Sequence, residues 1–371
     1  MSRFLIIFLT VYSSMHAFFY WRARVLLPLR GPAKALLLVF LLLMIAAPIV
    51  TRLLERNGFD ALARLTAYLG YCWMGFLFTA FWMLLLLLMA QLLASGFQFA
   101  AGAKVPHFGG QWPTAVVLGL AGVICIYGFF EARTIRVERV TIKTSKLPAR
   151  SRGVKIAQIS DVHLGLIVRD DRLSGILAKV REEAPDLLVC TGDLVDGNID
   201  RMDEVTNVIN DIDPPLGKFA VTGNHELYAG LDRSLKLLQR FGFRVLRGEL
   251  VNVQGMIQVA GVDDPVVARP VEEAPLLRSG QPELFTLLLK HRPEVDPSSL
   301  GLFDLQLSGH THRGQIFPFR LLIQMVYPMQ NGLYELDQGS KLYTSRGSGT
   351  WGPPIRFLSP PEVTIIELTP N

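Results

Sequence analysis

Residues 154–165 read VKIAQISDVHLG, a mostly apolar run closed by Ser160 and followed at once by Asp161-Val-His163. A short apolar run that ends in polar residues and glycine marks a buried strand entering a loop. The pattern recurs. DLLVCTG (186–192) ends at Asp193, and KFAVTG (218–223) ends at Asn224-His225-Glu226. LFTLLLK (284–290) ends at His291, and FDLQLSG (303–309) ends at His310-Thr-His312. The spacing predicts helices over 170–183, 201–211 and 230–241, and further strands in 251–262 and 362–368. Short apolar runs alternating with helices predict an α/β domain with a mixed sheet.

Each of the five run ends delivers side chains that bind metals: two Asp, one Asn and five of the seven histidines in the chain. The other two, His16 and His107, lie in the apolar N-terminal third. In layered α/β folds, sites form where strand ends meet loops, and scattered surface histidines would not segregate there. Imidazole and oxygen donors without thiolate suit Mn, Fe or Zn at a reactive site more than a structural zinc cluster. Cys190 sits inside an apolar run and reads as core. His225-Glu226 does not begin an HExxH metalloprotease motif, because the residue four after His225 is Ala229.

Outward from this region the composition changes. The chain has 371 residues, is 50% hydrophobic and 19% charged, and carries a net charge of +5. Those values exclude intrinsic disorder, and three cysteines exclude a disulfide scaffold. Residues 1–132 hold nine Lys/Arg and three acids, a net of +6, while the remainder is at −1. A near-neutral C-terminal part gives no reason to expect a nucleic-acid partner. Charge-free runs cover 4–21, 35–51, 65–103 and 105–130. About 20 apolar residues span a hydrocarbon core of about 30 Å. The expectation is four transmembrane helices near 4–21, 33–51, 65–94 and 112–131, with an interfacial stretch around 96–110. No small-x-small cleavage site follows the first run, so it reads as a helix rather than a signal peptide. With four crossings, the side holding both termini carries nine positive charges against five, which points to a cytoplasmic C-terminal domain. Residues 133–150 hold six Lys/Arg and one Glu. They read as a basic juxtamembrane segment attracted to anionic headgroups, or as a solvated strand. The expected organisation is a membrane part over 1–132, a basic linker over 133–151 and a catalytic domain over 152–371.

In order, Asp-x-His at 161–163, Gly-Asp at 192–193, Gly-Asn-His-Glu at 223–226, His291 and Gly-His-Thr-His at 309–312 resemble the signature of the calcineurin-like metallophosphoesterases. The stretch Arg346-Gly-Ser-Gly-Thr-Trp-Gly-Pro-Pro, with Arg356 and Pro361-Glu362, is similar to the membrane-associated bacterial branch. That branch includes phosphodiesterases and a UDP-diacylglucosamine pyrophosphatase. The resemblance covers about residues 152–369. It implies a four-layer α/β/β/α sandwich with two divalent ions, Mn²⁺ foremost and Fe or Zn as alternatives. It places Asp161, His163 and His312 on the first ion, Asn224, His291 and His310 on the second, and Asp193 between them. Two such ions make hydroxide from water near neutral pH and clamp phosphoryl oxygens. The resemblance gives His225 the catalytic role of contacting the phosphoryl group or protonating the leaving oxygen.

Gly347-Ser-Gly349-Thr-Trp-Gly352 matches GxGxxG, but Pro353-Pro354 follows where a dinucleotide-binding helix would have to open. The loop reads instead as a tight turn, or as a phosphate contact made by Arg346, Gly347 and Gly349. The expected function is a multi-pass phosphoesterase of a bacterial inner membrane that hydrolyses a phosphodiester or pyrophosphate bond, with a lipid-linked or nucleotide-lipid substrate. Two other readings stay open: a hydrolase of a soluble nucleotide with the membrane part as tether, and a non-catalytic membrane scaffold with a structural metal site.

Overall fold

The computed structural model describes residues 3–27, 32–102, 109–148, 151–197 and 209–371. The chain divides into two compact units, residues 1–130 with 352–357, and residues 131–351 with 358–371.

The first unit is helical: α1 (Arg3–Ala23), α2 (Ala33–Arg56), α3 (Asp60–Ala101) and α4 (Gln111–Glu131). Among the described residues, α2, α3 and α4 are long and apolar enough to cross a membrane. The third helix is longer than the expected 65–94, because no proline or charge interrupts the run from Leu65 to Ala101. It absorbs the start of the expected interfacial stretch, of which 103–108 lie outside the described residues. Large apolar side chains point outward all along these helices, among them Leu43, Leu93 and Val123. That suits lipid rather than water.

Inside, small residues let helices approach. A Cβ added at Gly70 on α3 would stand 2.8 Å from Ala47 Cβ on α2. Ala63 and Ala67 are fully buried on the same helix, and Thr51 Oγ1 donates to Thr66 Oγ1 across the pair at 3.0 Å. Close backbone approach of this kind holds membrane helices together where no hydrophobic drive separates helix from lipid. Overpacking costs about 1–3 kcal/mol. Gly70→Leu is therefore expected to lower the thermal midpoint of the detergent-solubilised chain, and an unchanged midpoint would contradict the α2–α3 packing. The ring of Trp73 lies among Phe19, Phe40 and Phe76. Its indole N–H donates to His16 Nε2 at 2.9 Å, while His16 Nδ1 faces the Tyr12 carbonyl at 2.8 Å. These partners fix His16 as the Nδ1–H tautomer and give it a structural task.

The second unit holds two six-stranded sheets. The first is ordered β1 (Arg136–Thr144), β12 (Glu362–Pro370), β2 (Val154–Ile159), β3 (Leu187–Thr191), β4 (Lys218–Val221), β5 (Arg244–Val245). The second is ordered β10 (Gly332–Glu335), β11 (Lys341–Thr344), β9 (Leu305–Ser308), β8 (Phe285–Leu289), β7 (Ile257–Gly261), β6 (Glu249–Val253). Strands β2 to β5 run parallel, as do β7, β8, β9 and β11. Side chains alternate across a strand. Leu187 and Val189 of β3 therefore join Phe285, Leu287 and Leu289 of β8 in one core between the sheets. Leu288 points the other way, to Leu277 of α8 (Glu273–Arg278). Helix α5 (Asp170–Glu183) buries Leu173, Ile176, Leu177 and Val180 beside β12. Among the described residues the unit also holds helices α6 (Asn224–Ala229), α7 (Leu231–Arg240) and α9 (Phe319–Val326).

The expected helices over 170–183 and 230–241 correspond to α5 and α7; most of the one expected over 201–211 lies outside the described residues. The basic stretch read as a linker contains β1, a parallel edge partner of β12 from Arg136↔Glu362 to Thr144↔Pro370. Arg136, Arg139 and Lys143 are exposed along it, as suits a sheet edge protected by charge.

Candidate metal centre

The parallel strands place their C-terminal ends side by side, and the loops that leave them are tightly folded. Asp161, His163, Asp193, His310 and His312 all have φ between 47° and 70°. Left-handed backbone is unusual for any residue but glycine, although Asp and His tolerate it better than most. Each such residue costs about 1–3 kcal/mol, and clusters of them occur where a site fixes side-chain direction. Glycine makes room for the convergence. A Cβ at Gly309 would overlap Ser160 Oγ and Asp161 Oδ2, and one at Gly223 would overlap Asp193 Oδ1.

Six of the seven expected donors, together with His225, form three overlapping groups whose ligand atoms lie within 4.8 Å of one another: Asp161/His163/His312, His163/Asp193/His225, and Asp193/His291/His310. His163 Nε2 and His312 Nε2 face each other at 3.0 Å. His312 Nε2 is 3.5 Å from Asp161 Oδ1. Asp193 Oδ2 is 3.2 Å from His291 Nε2 and 3.9 Å from His163 Nε2. Asp193 thus stands between the first and third groups. His310 Nδ1 meets His291 Nε2 at 3.1 Å.

The surroundings aim these atoms. The His310 backbone N–H donates to both Asp161 oxygens at 3.0 Å, and Ser160 Oγ donates to Oδ2 at 2.5 Å. His291 Nδ1 faces the Thr191 carbonyl at 2.8 Å, which turns Nε2 inward as the donor atom. The His225 backbone N–H donates to Asp193 Oδ1 at 2.8 Å.

Asp161 and Asp193 are buried here and Asp196 stands partly exposed beside them, and the three charges set the protonation of the rings. Burial opposes charge on His291, but Asp193 and Asp161 outweigh it and raise its pKa to about 10. Burial likewise opposes charge on His225, and Asp196 and Asp193 lift it to about 9. Burial and the neighbouring charge of His225 push His163 down to about 4. Burial and His291 push His310 to about 3. Burial raises Asp161 to about 6, while Asp193 stays well below the carboxylate range because His291 and His225 overcome its burial. With the protein's own charges alone, two imidazoliums serve as the counter-ions of the carboxylates.

Divalent cations fit this donor set. The Asn224 Oδ1 atom is buried without a hydrogen-bond partner, an expensive arrangement for a polar atom. Facing ring nitrogens, a carboxylate common to two donor groups and a neutral amide oxygen are the donors that Mn, Fe or Zn accept.

Two residues that the motifs left without a role support the centre. Asp196 Oδ1 lies 3.0 Å from His225 Nδ1, which orients that ring and leaves Nε2 as its other nitrogen. Glu226 is fully buried and accepts from the backbone N–H groups of Gly223, Asp193, Leu194 and Val195 at 2.6, 3.0, 2.8 and 3.4 Å. It pins the Asp193 loop to the start of α6. A buried donor left without its acceptor costs about 1–3 kcal/mol. Glu226→Ala is expected to lose at least about 3 kcal/mol, read as a lowered unfolding midpoint by scanning fluorimetry; an unaltered midpoint would refute the bracing role.

The glycine-rich loop is arranged differently from the expected phosphate contact. The Arg346 guanidinium is held by Glu362 and Glu138. The Gly347 N–H donates to Ser345 Oγ at 3.0 Å, and the Gly349 N–H to the Asp161 carbonyl at 3.0 Å. The Gly349 N–H, with the Ser348 N–H donating to the Ser160 carbonyl at 2.7 Å, braces the loop that carries Asp161.

A model of the calcineurin-like phosphoesterase family matches residues 154–314. An uncharacterized metallophosphoesterase of Aquifex aeolicus (strain VF5) is 40% identical over 255 residues, covering 67% of this chain and 97% of that protein. The uncharacterized metallophosphoesterase YkuE of Bacillus subtilis (strain 168) is 32% identical over 253 residues, 65% of this chain and 87% of the other. A transmembrane protein with metallophosphoesterase domain from Danio rerio is 32% identical over 274 residues, 69% of this chain and 62% of the other. The fold and site define a metal-dependent phosphoesterase. The chain belongs to the calcineurin-like phosphoesterase family, and it joins that domain to helices of membrane-spanning length.

Proposed function

We propose that the chain is a membrane-anchored hydrolase of phosphodiester or pyrophosphate bonds that works with two divalent cations, Mn²⁺ foremost. The observation that carries this reading is the convergence of Asp161, His163, Asp193, His291, His310 and His312 from separate strand ends into overlapping donor groups. Asp161, His163 and His312 hold one cation, Asn224, His291 and His310 hold the other, and Asp193 serves both. Bound there, such ions supply Lewis-acid activation of water and charge neutralisation at the phosphoryl group. Asn224 contributes a neutral oxygen, which limits the negative charge that a phosphate anion meets. His225, steadied by Asp196, holds a proton for the leaving oxygen at Nε2.

The substrate class follows from anchoring. Helices of membrane length hold the site near headgroups, which favours a lipid-linked or nucleotide-lipid phosphate over a soluble nucleotide. The membrane is a bacterial inner membrane with the catalytic domain on its cytoplasmic side, in keeping with the positive charges flanking the helices. The test is to treat the purified full-length chain with chelator, restore Mn²⁺, and assay a phosphomonoester, a soluble phosphodiester and a UDP-linked lipid. Turnover of the lipid-linked ester is expected. Turnover of soluble esters alone would leave the helices as a tether, and no turnover of any class with metal bound would overturn the reading. For topology, a cysteine replacing the exposed Lys143 should resist an impermeant maleimide in intact cells; labelling would place the domain outside.

A further inference from the structure

Helix α9 breaks the rule that a surface helix buries its apolar stripe. Its sequence, Phe319-Arg-Leu-Leu-Ile-Gln-Met-Val326, has no buried residue. Leu321, Leu322, Met325 and Val326 are exposed, Met325 at 81% and Val326 at 68%. Only Arg320 and Gln324 are polar, and they stand four apart on one face. Short helices in water draw their stability from packing an apolar face, so this one calls for a cover.

The charges beside it indicate the cover. Arg313, one residue past His312, is held below its usual pKa by burial and then by the positive charges of Arg320 and Arg346, which Glu362 opposes only in part. Arg346 is neutralised by Glu138 and Glu362. Among the described residues, no ion pair links Arg313 or Arg320 to a carboxylate, and the Nε atoms of both are buried without a hydrogen-bond partner. Two arginines outside any ion pair among the described residues, beside an exposed apolar helix, make the pattern of an interfacial anchor, with apolar side chains among acyl chains and cations at anionic headgroups. The same chain carries helices of membrane-spanning length, so a bilayer is a surface that this protein meets.

We infer that α9, with Arg313 and Arg320, is a bilayer-contacting surface that rests at the headgroup–acyl boundary of an anionic leaflet. The surface adjoins the metal centre: Tyr327, the residue after α9, stacks edge-on against His310 with ring centroids 5.4 Å apart. A helix seated in the leaflet would bring the donor cluster to the level of lipid phosphates. The inference rests on the chain being a membrane protein and does not depend on its hydrolytic activity.

The test uses the full-length chain in nanodiscs of phosphatidylethanolamine and phosphatidylglycerol, with Cys72 and Cys125 replaced by Ser. An environment-sensitive fluorophore is attached at Met325→Cys or, as control, at Lys236→Cys, an exposed position on α7. The probe at 325 is expected to emit blue-shifted and to be quenched by lipids brominated on their acyl chains, whereas the probe at 236 is not. Each juxtamembrane arginine contributes about fivefold to anionic-surface affinity. Arg313→Ala with Arg320→Ala, or zwitterionic lipid throughout, should therefore reduce the quenching at 325. A probe at 325 that aqueous iodide quenches as freely as the one at 236 would show the face in water. A probe shielded from both quenchers would show protein covering it, a second copy or the chain's own helices. Either result overturns the proposal.

Discussion

Asp193→Asn should abolish turnover and lower metal occupancy together. Asp193 is the carboxylate shared between donor groups, with Oδ2 3.2 Å from His291 Nε2 and 3.9 Å from His163 Nε2. Its other oxygen accepts the His225 backbone N–H at 2.8 Å, so its position is fixed from two sides. An amide offers one neutral oxygen where the carboxylate offers two charged ones, and it cannot serve two cations equally. Losing metal-ion catalysis forfeits several kcal/mol of barrier lowering. At about 1.4 kcal/mol per tenfold, the rate should fall on the order of 10³-fold or more. Metal analysis of the same preparation separates causes. A variant with full occupancy and full rate would show that Asp193 is not the shared ligand.

His225→Gln should lose rate while keeping its metal. A positioned acid–base group, the role proposed for His225, contributes about 10²–10⁴-fold, and Asp196 Oδ1 lies 3.0 Å from His225 Nδ1. Asp196→Asn should cost less, about 10–100-fold, as is usual for a group that only orients another. Measuring rate and metal content for both variants gives the ordering. An Asp196 loss as large as that of His225, with metal gone from both, would make the pair structural.

The candidate centre was legible because ligands close in sequence leave strand ends together. Asp161 and His163, and His310 and His312, are two apart, and five runs end in such residues. What stayed hidden depends on partners far away in the chain. Arg346 reads as a cation free for phosphate, but Glu138 stands 208 residues before it and cancels it. Asp196 and Glu226 act through hydrogen bonds to residues 29 and 30-odd positions distant, which no local pattern records. Strand β1 is the solvated strand that was one of two readings of the basic stretch, and its charges kept the juxtamembrane reading open beside it. Arg136-Val-Glu-Arg-Val-Thr-Ile-Lys-Thr144 alternates, but its exposed face is basic because it closes a sheet edge. The helical unit was legible by length, since only charges and glycines interrupt apolar runs. Its third helix exceeds the expectation because apolar length sets how much can be buried in lipid, and not where the helix stops.

The central claim is that the strand-end histidines and carboxylates make this chain a phosphoesterase by holding two cations. The direct measurement is to titrate Mn²⁺ into chelator-treated, full-length protein while following hydrolysis of a phosphodiester. The account predicts no turnover without added ion and saturation near two equivalents per chain. Full activity after chelation, with no metal detectable in the protein, would contradict it.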